Sequence, residues 1–235
     1  MQELMQLIES RHSARGLFDP ERAIPAEDMA KILEAARWAP TAHNMQNFEI
    51  VEVDDKQLLA AIGEIKVPPN LTFIKESYPQ LSFSEDELRR RKRGIMGTMF
   101  PKSWQTSDPD PEEIKNEDRG AFMARQIVSS SAVLFVLYDP SRRAPASEGD
   151  FLGILSLGCA MENMWLMANS LGVGVHIVSS LSGKEVANKI AKLLNVPDNF
   201  SIAFSMRLGY PVAPVHSLRV RRDKDEFVHR NGFKE

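Results

Sequence analysis

An α+β fold is predicted from three features of the chain. Helical and strand-like segments are interleaved without the regular β-α-β alternation that builds a doubly wound parallel sheet. The stretch Asp150 to Leu171 is apolar on nearly every face, as expected of a central helix packed on all sides. Phe200 to Leu208 alternates with period two, placing Ile202, Phe204, Met206 and Leu208 on one face and Ser201, Ala203, Ser205 and Arg207 on the other.

The remaining elements follow from local signals. Leu4, Leu7 and Ile8 recur at helical spacing within Gln2 to Ser10 and predict a short amphipathic helix. A second helix is predicted to start near Pro25, with Glu27 and Asp28 at its positive end. Met29, Ile32, Leu33 and Ala36 form its apolar face, and Pro40 lies past its end. Phe48 to Val53 reads as a strand, followed by a helix around Gln57 to Ile62. A helix ending near Ser130 leads into a buried strand, Val133 to Tyr138. Val173 to Val178 is another strand and Lys184 to Leu194 another helix, with Gly172 as the stop of the apolar helix before them.

Residues 67–118 differ in character, with scattered prolines, a charge run and the aromatics Phe73, Tyr78, Phe83, Phe100 and Trp104. Such a stretch reads as an insertion or lid on a single domain spanning 1–235, with one helix near Glu85 to Met96. Its aromatics could cover a ligand or form the lid's own small core. The tail from Pro211 to Glu235 is polar and basic and is expected to pack across another part of the chain.

Composition bounds the function. At 235 residues and 43% hydrophobic, the chain can build a substantial core, which disfavours disorder or a disulfide scaffold. A net charge of -3 disfavours nucleic acid or an anionic membrane as the main partner. The single cysteine, Cys159, excludes an intrachain disulfide, suits a reducing compartment, and is expected to be a buried, inert thiol. Glu3 and Glu9 stand where a secretory signal needs an apolar core, and Glu162 and Asn163 interrupt the longest apolar stretch. A cytoplasmic protein without a membrane span is expected. His12, His43, His176, His216 and His229 are scattered without ligand spacing, so no metal site is predicted.

Two segments could carry chemistry. Arg11, Ser13 and Arg15 place two guanidinium forks and a hydroxyl within five residues, a set able to surround a phosphate and equally compatible with an exposed basic turn. Ala39 to Phe48 joins a helix to a strand and is dense in hydroxyl and amide groups that could read a planar heterocycle, or simply form a turn. The run Arg89 to Arg93 follows Glu85, Asp86 and Glu87, which favours a solvated helix with local ion pairs. A nucleic-acid patch is disfavoured, and attraction of nicotinamide phosphates stays open.

Taken together, the order of these motifs resembles the nitroreductase family. Arg11, Ser13 and Arg15 near the start are followed by Ala39-Pro40-Thr41-Ala42-His43-Asn44 and Gln46 before a strand. The long apolar helix, Leu171-Gly172-Val173-Gly174, Leu208-Gly209-Tyr210-Pro211 and a basic tail come after. The resemblance implies a central mixed or antiparallel sheet flanked by helices, and FMN held at the interface of an intertwined homodimer. It implies NADH or NADPH as co-substrate and a small-molecule acceptor such as a nitroaromatic or quinone. By that likeness, Arg11, His12, Ser13 and Arg15 hold the phosphate and ribityl chain. Pro40, Thr41, Ala42 and Asn44, with Gln46 nearby, reach the flavin of the partner subunit. Val178, Ser179 and Ser180 lie by the reactive ring edge, and Arg219, Arg221 and Arg222 are tail cations returning to the phosphate. Asn47-Phe48 replaces the Pro-Trp common in the family, and Ile177 to Ser180 replaces a Pro-x-Glu-Gly run found in some members. A specialised relative of this fold, such as a reductive dehalogenase or flavin-modifying enzyme, is the alternative; a non-catalytic regulator is the third.

Overall fold

Among the described residues, four strands pair antiparallel throughout, in the order β1-β2-β4-β3. They are β1 (Phe48–Val53), β2 (Ala132–Tyr138), β3 (Gly174–Ile177) and β4 (Ser201–Gly209). The computed structural model describes residues 2–67, 71–81, 83–94, 102–116, 119–214 and 218–233. These fall in two compact units, Met1–Val67 with Arg119–Val215 and Pro68–Asp118 with His216–Glu235.

The sheet belongs to the first unit. Every residue of β2 is buried, because successive side chains point to opposite faces and both faces are covered. Leu134 and Val136 meet Met206, Leu208 and Val175 beneath α2 (Ala26–Arg37) and α8 (Phe151–Ser170). Val133, Phe135 and Leu137 meet Ile202 on the other face, with Leu59 and Ile62 from α3 (Lys56–Gly63), Ile127 from α7 (Arg119–Val128) and Ile190 from α9 (Lys184–Leu193). Burial on this scale, at roughly 25 cal/mol per Å² of apolar surface, is the main force holding the layers together. α1 (Gln2–Ser10) packs on α8, where Asn169 Nδ2 donates to Ser10 Oγ at 2.8 Å. Asp55 caps α3 by accepting from the Leu58 amide at 2.8 Å.

The structure corrects two expectations for this unit. α8 is not packed on all sides: Phe151 is 66% exposed and Ile154 59%, with Leu152 and Leu155 beside them, and Cys159 is only half-buried. Its buried face is Leu157, Ala160, Met164, Trp165 and Ala168, so α8 is a core helix with a second apolar face left over. By length and composition the helix is apolar enough to span a membrane, but its seat against the sheet explains that composition. The second face of β4 is not a polar face either, since Ser205 and Arg207 are fully buried.

In the second unit the insertion holds more helix than expected: α4 (Leu71–Leu81), α5 (Glu85–Arg91) and α6 (Pro111–Asn116). α5 ends early, at Lys92 with φ 54°, and Met96 lies outside the described residues. Trp104 is buried with Ile74 and Ile114, so it serves the insertion's own core; Phe100 and the Tyr78 side chain lie outside the described residues. Arg89 pairs with Glu85 at 3.5 Å and Arg91 with Glu87 at 2.6 Å, which makes the charge run an ion-paired helix face. Lys92 Nζ donates to Glu226 at 2.7 Å and to Asp223, joining the tail to the insertion within this unit.

Gly209 closes β4 where Phe18 crosses it. A Cβ there would lie 2.8 Å from three atoms of Phe18, which is itself buried. Gly209→Ala is therefore expected to cost about 1–3 kcal/mol through overpacking. The check is a chemical denaturation curve, and an unchanged midpoint would contradict the packing described.

Candidate functional site

Residues Arg11 to Phe18 run beside the free edge of β3, and hydrogen bonds from the core set their course. Ser13 bridges Val175 in parallel, and the Ala14 amide donates to the Val175 carbonyl at 2.7 Å. Trp165 Nε1 donates to the His12 carbonyl at 3.3 Å, and Gln126 Nε2 donates to the Arg15 carbonyl. Both terminal nitrogens of Arg207 reach the Gly16 carbonyl at 3.4 Å. With these carbonyls turned to the core, the side chains of Arg11, Ser13 and Arg15 are left as the segment's outward chemistry.

The two arginines of the turn differ. Arg11 lies over the Trp165 ring at 4.6 Å and pairs with Glu162 at 3.1 Å. Arg15 is half-buried and forms no ion pair among the described residues; burial lowers its pKa. Behind the following residue, Gly16, sits a group that the alternation of β4 concealed. Arg207 is fully buried, with Nε donating to Ser130 Oγ at 3.0 Å and Nη2 to Ser129 Oγ at 3.3 Å. Its guanidinium also lies 4.6 Å from the Phe18 ring centre and 3.2 Å from His176 Nδ1. Burial pulls Arg207 down to about 9, and burial with the nearby cations Arg207 and Arg15 pulls His176 down to about 3. A neutral imidazole can accept from Arg207, whereas an imidazolium could not.

The loop from Pro40 to Gln46 sits elsewhere on α8. The Ala42 amide donates to Ser156 Oγ at 3.0 Å, and the Gln46 amide to Thr41 Oγ1 at 3.2 Å. His43, Asn44 and Gln46 all have positive φ, at 50°, 54° and 46°. Left-handed backbone costs of order 1 kcal/mol per non-glycine residue, so three within four residues mark a loop whose shape is held for a use. Pro40, Asn44 and Gln46 are exposed. Ser156 anchors this loop and Trp165 anchors the turn, and nine residues of helix separate them, about 14 Å along the axis. One protomer therefore keeps the two predicted pieces apart.

Val178 to Ser180 follows β3 directly, on the same sheet edge as the turn. Val178 is buried, its amide donating to the Ser205 carbonyl at 3.0 Å, while Ser179 is exposed and Ser180 contacts the Met123 sulfur at 3.8 Å. Arg219, Arg221 and Arg222 are exposed and belong to the second unit. There Arg221 donates to the Val220 carbonyl at 2.8 Å and Arg222 lies over Phe227.

This charge set fits a phosphate dianion: two cations with no ion pair among the described residues, half-buried Arg15 and fully buried Arg207, at a turn whose carbonyls face away. A dianion could likewise share Arg11 with Glu162. Such a turn beside a sheet edge, in a helix-flanked antiparallel sheet, defines a class of protein. The family model described as Nitroreductase family matches residues 8–210, and the chain belongs to the nitroreductase family.

Its relatives are distant. An Archaeoglobus fulgidus protein, provisionally named NADH dehydrogenase/NAD(P)H nitroreductase, is 25% identical over 90% of this chain and 87% of its own. Among solved structures, the NADPH:FMN oxidoreductase of Vibrio harveyi complexed with NAD+ aligns with a TM-score of 0.61 at 20% identity, covering 98% of this chain and 78% of that one. A nitroreductase with bound FMN from Bacteroides fragilis aligns with a TM-score of 0.58 at 19% identity, covering 97% and 100%. These likenesses bear out the α+β fold with its antiparallel sheet.

His176 makes a pH prediction. Its folded pKa, about 3, lies below the unfolded value near 6.5, so the unfolded chain binds the extra proton. The stability this contributes is complete above pH 6.5 and is lost as pH falls toward 3. Between pH 7 and 5 the native protein is expected to lose up to about 2 kcal/mol more than the His176→Asn variant, in which the amide oxygen can replace Nδ1. Urea midpoints at the two pH values measure this, and parallel losses would contradict it.

Proposed function

We propose that the protein is an FMN-dependent oxidoreductase that uses NADH or NADPH to reduce a small-molecule acceptor of the nitroaromatic or quinone type. The observation that carries the reading is the Arg11–Arg15 turn, in which Arg15 has no ion pair among the described residues and the buried Arg207 holds the carbonyl of the next residue, Gly16. Its side chains would hold the FMN phosphate and ribityl chain, His12 and Ser13 included. The exposed amides of Asn44 and Gln46, with the half-buried hydroxyl of Thr41, would meet the polar edge of the ring, and Pro40 and Ala42 would shape the loop. Val178, Ser179 and Ser180 would border the ring at the sheet edge, where Ser179 is open to solvent. When bound, FMN would supply the hydride chemistry in a ping-pong cycle, in which NADH or NADPH gives up its hydride and leaves as NAD+ or NADP+ before the acceptor enters. The chain's own part is to bind, orient and keep water away, so no acid–base pair is required of it.

A homodimer is part of this reading. Two observations support it: the exposed apolar row Phe151, Leu152, Ile154 and Leu155 on α8, with Leu4, Met5 and Ile8 on α1, and the separation of loop from turn within one protomer. A second copy would cover the row and bring its own Asn44 loop to the first copy's turn. The insertion at 67–118 would act as a lid, and a reducing, cytoplasmic setting suits a chain with one cysteine.

The purified protein is expected to be yellow, and NADPH or NADH to bleach the flavin band. A colourless protein that fails to take up added FMN would contradict the reading. Arg15→Ala should weaken FMN retention about tenfold or more without lowering the melting temperature appreciably. Normal flavin content in both Arg11→Ala and Arg15→Ala would assign the phosphate elsewhere. Ile154→Glu should shift the protein from dimer to monomer by light scattering; a monomeric parent protein would remove the dimer from the account.

A further inference from the structure

A buried arginine with only neutral partners is unusual, because desolvation penalises an isolated charge heavily. Arg207 is such a group: serine hydroxyls, one carbonyl and a neutral imidazole take its hydrogen bonds, and among the described residues it forms no ion pair. Arg15, which also lacks an ion pair among the described residues, lies near enough to act on the same imidazole. Surface turns do not need a buried cation behind them, and a neutral residue such as methionine would fill this core position without that penalty. The hold on Gly16 lies one residue past Arg15, where the turn leaves the sheet edge.

We propose that Arg207 is a positioning residue for the flavin phosphate, fixing the Arg11–Arg15 turn through the Gly16 carbonyl and supplying a buried charge that the phosphate dianion balances. The inference rests on the FMN reading and extends it to a residue that lies within the sheet. Its consequence is selectivity: Arg207 favours FMN over riboflavin, which has the same ring and ribityl chain but no phosphate. A residue that served the fold alone would not distinguish the two ligands.

The test uses full-length protein stripped of flavin, titrated with FMN and with riboflavin by quenching of flavin fluorescence. Arg207→Met is expected to weaken FMN by at least about tenfold, the scale of one charge-assisted hydrogen bond, and to leave riboflavin within about twofold. Arg207→Lys, which keeps the charge but cannot reach Gly16 and Ser130 together, should fall between the two, losing about threefold in the FMN-to-riboflavin ratio. Equal weakening of both ligands, or of neither, overturns the assignment. If Arg207→Met does not fold, Arg207→Lys decides, and an unchanged ratio in that variant overturns it. Native protein that binds neither ligand refutes the FMN reading and this inference with it, whereas native binding with an unaltered ratio in the variants refutes the inference alone.

Discussion

Between Arg11 and Phe18 the chain forms no helix and pairs with the sheet only through isolated bridges, so its shape depends on hydrogen bonds from the core. The Ala14 amide is tied to β3, and the carbonyls of His12, Arg15 and Gly16 are taken by Trp165, Gln126 and Arg207. Those donors come from α8, α7 and β4, three elements that the sheet already fixes against one another. Carbonyl oxygens repel an anion, and drawing them inward removes that repulsion from the outer side of the turn. On the proposed reading, the backbone would favour an anion along with the two arginine side chains.

The same economy of rigid parts governs the rest of the candidate site. α8 acts as a ruler: Trp165 and Glu162 meet the turn on one part of it, while Ser156 holds the left-handed loop on another. A helix does not shorten, so within a single protomer the two anchor points stay about 14 Å apart. The apolar row left open on the N-terminal half of α8 lies on the stretch that carries the loop. Assembly through that row would therefore complete a binding site and cover exposed hydrocarbon in one step.

Much of this was legible in the sequence, for reasons that can be traced. β2 is legible because Val133–Tyr138 is an unbroken apolar run, β4 because apolar and polar residues alternate over Ile202–Leu208, and α2 because Met29, Ile32 and Ala36 fall on one helical face. A register shift in β4 nevertheless turns Ile202 to the face opposite Met206 and Leu208. Arg11 and Arg15 stood out by side-chain chemistry alone. Arg207 was assigned to a polar face because alternation reports which residues share a face but not whether that face is covered. β4 is an inner strand under helices on both sides, a fact of topology that no local window contains. The exposure of Ile154 is hidden for a related reason: in sequence, an apolar helix face left open reads like one that is packed. In the insertion, Pro79 within α4 and the six-residue length of α6 masked helices whose apolar pattern is too short to read. The left-handed residues His43, Asn44 and Gln46 leave only a weak signal, since none is glycine and only His and Asn are enriched in that region.

The central claim is that the turn at the edge of β3 is where this member of the nitroreductase family grips its cofactor. A crystal structure of the protein reconstituted with FMN tests it most directly. The account predicts the phosphate within hydrogen-bonding distance of Ser13 and Arg15, with the Gly16 carbonyl still held by Arg207. A phosphate bound away from Arg11 to Arg15, or a turn that unravels from Val175 to admit it, would contradict the account.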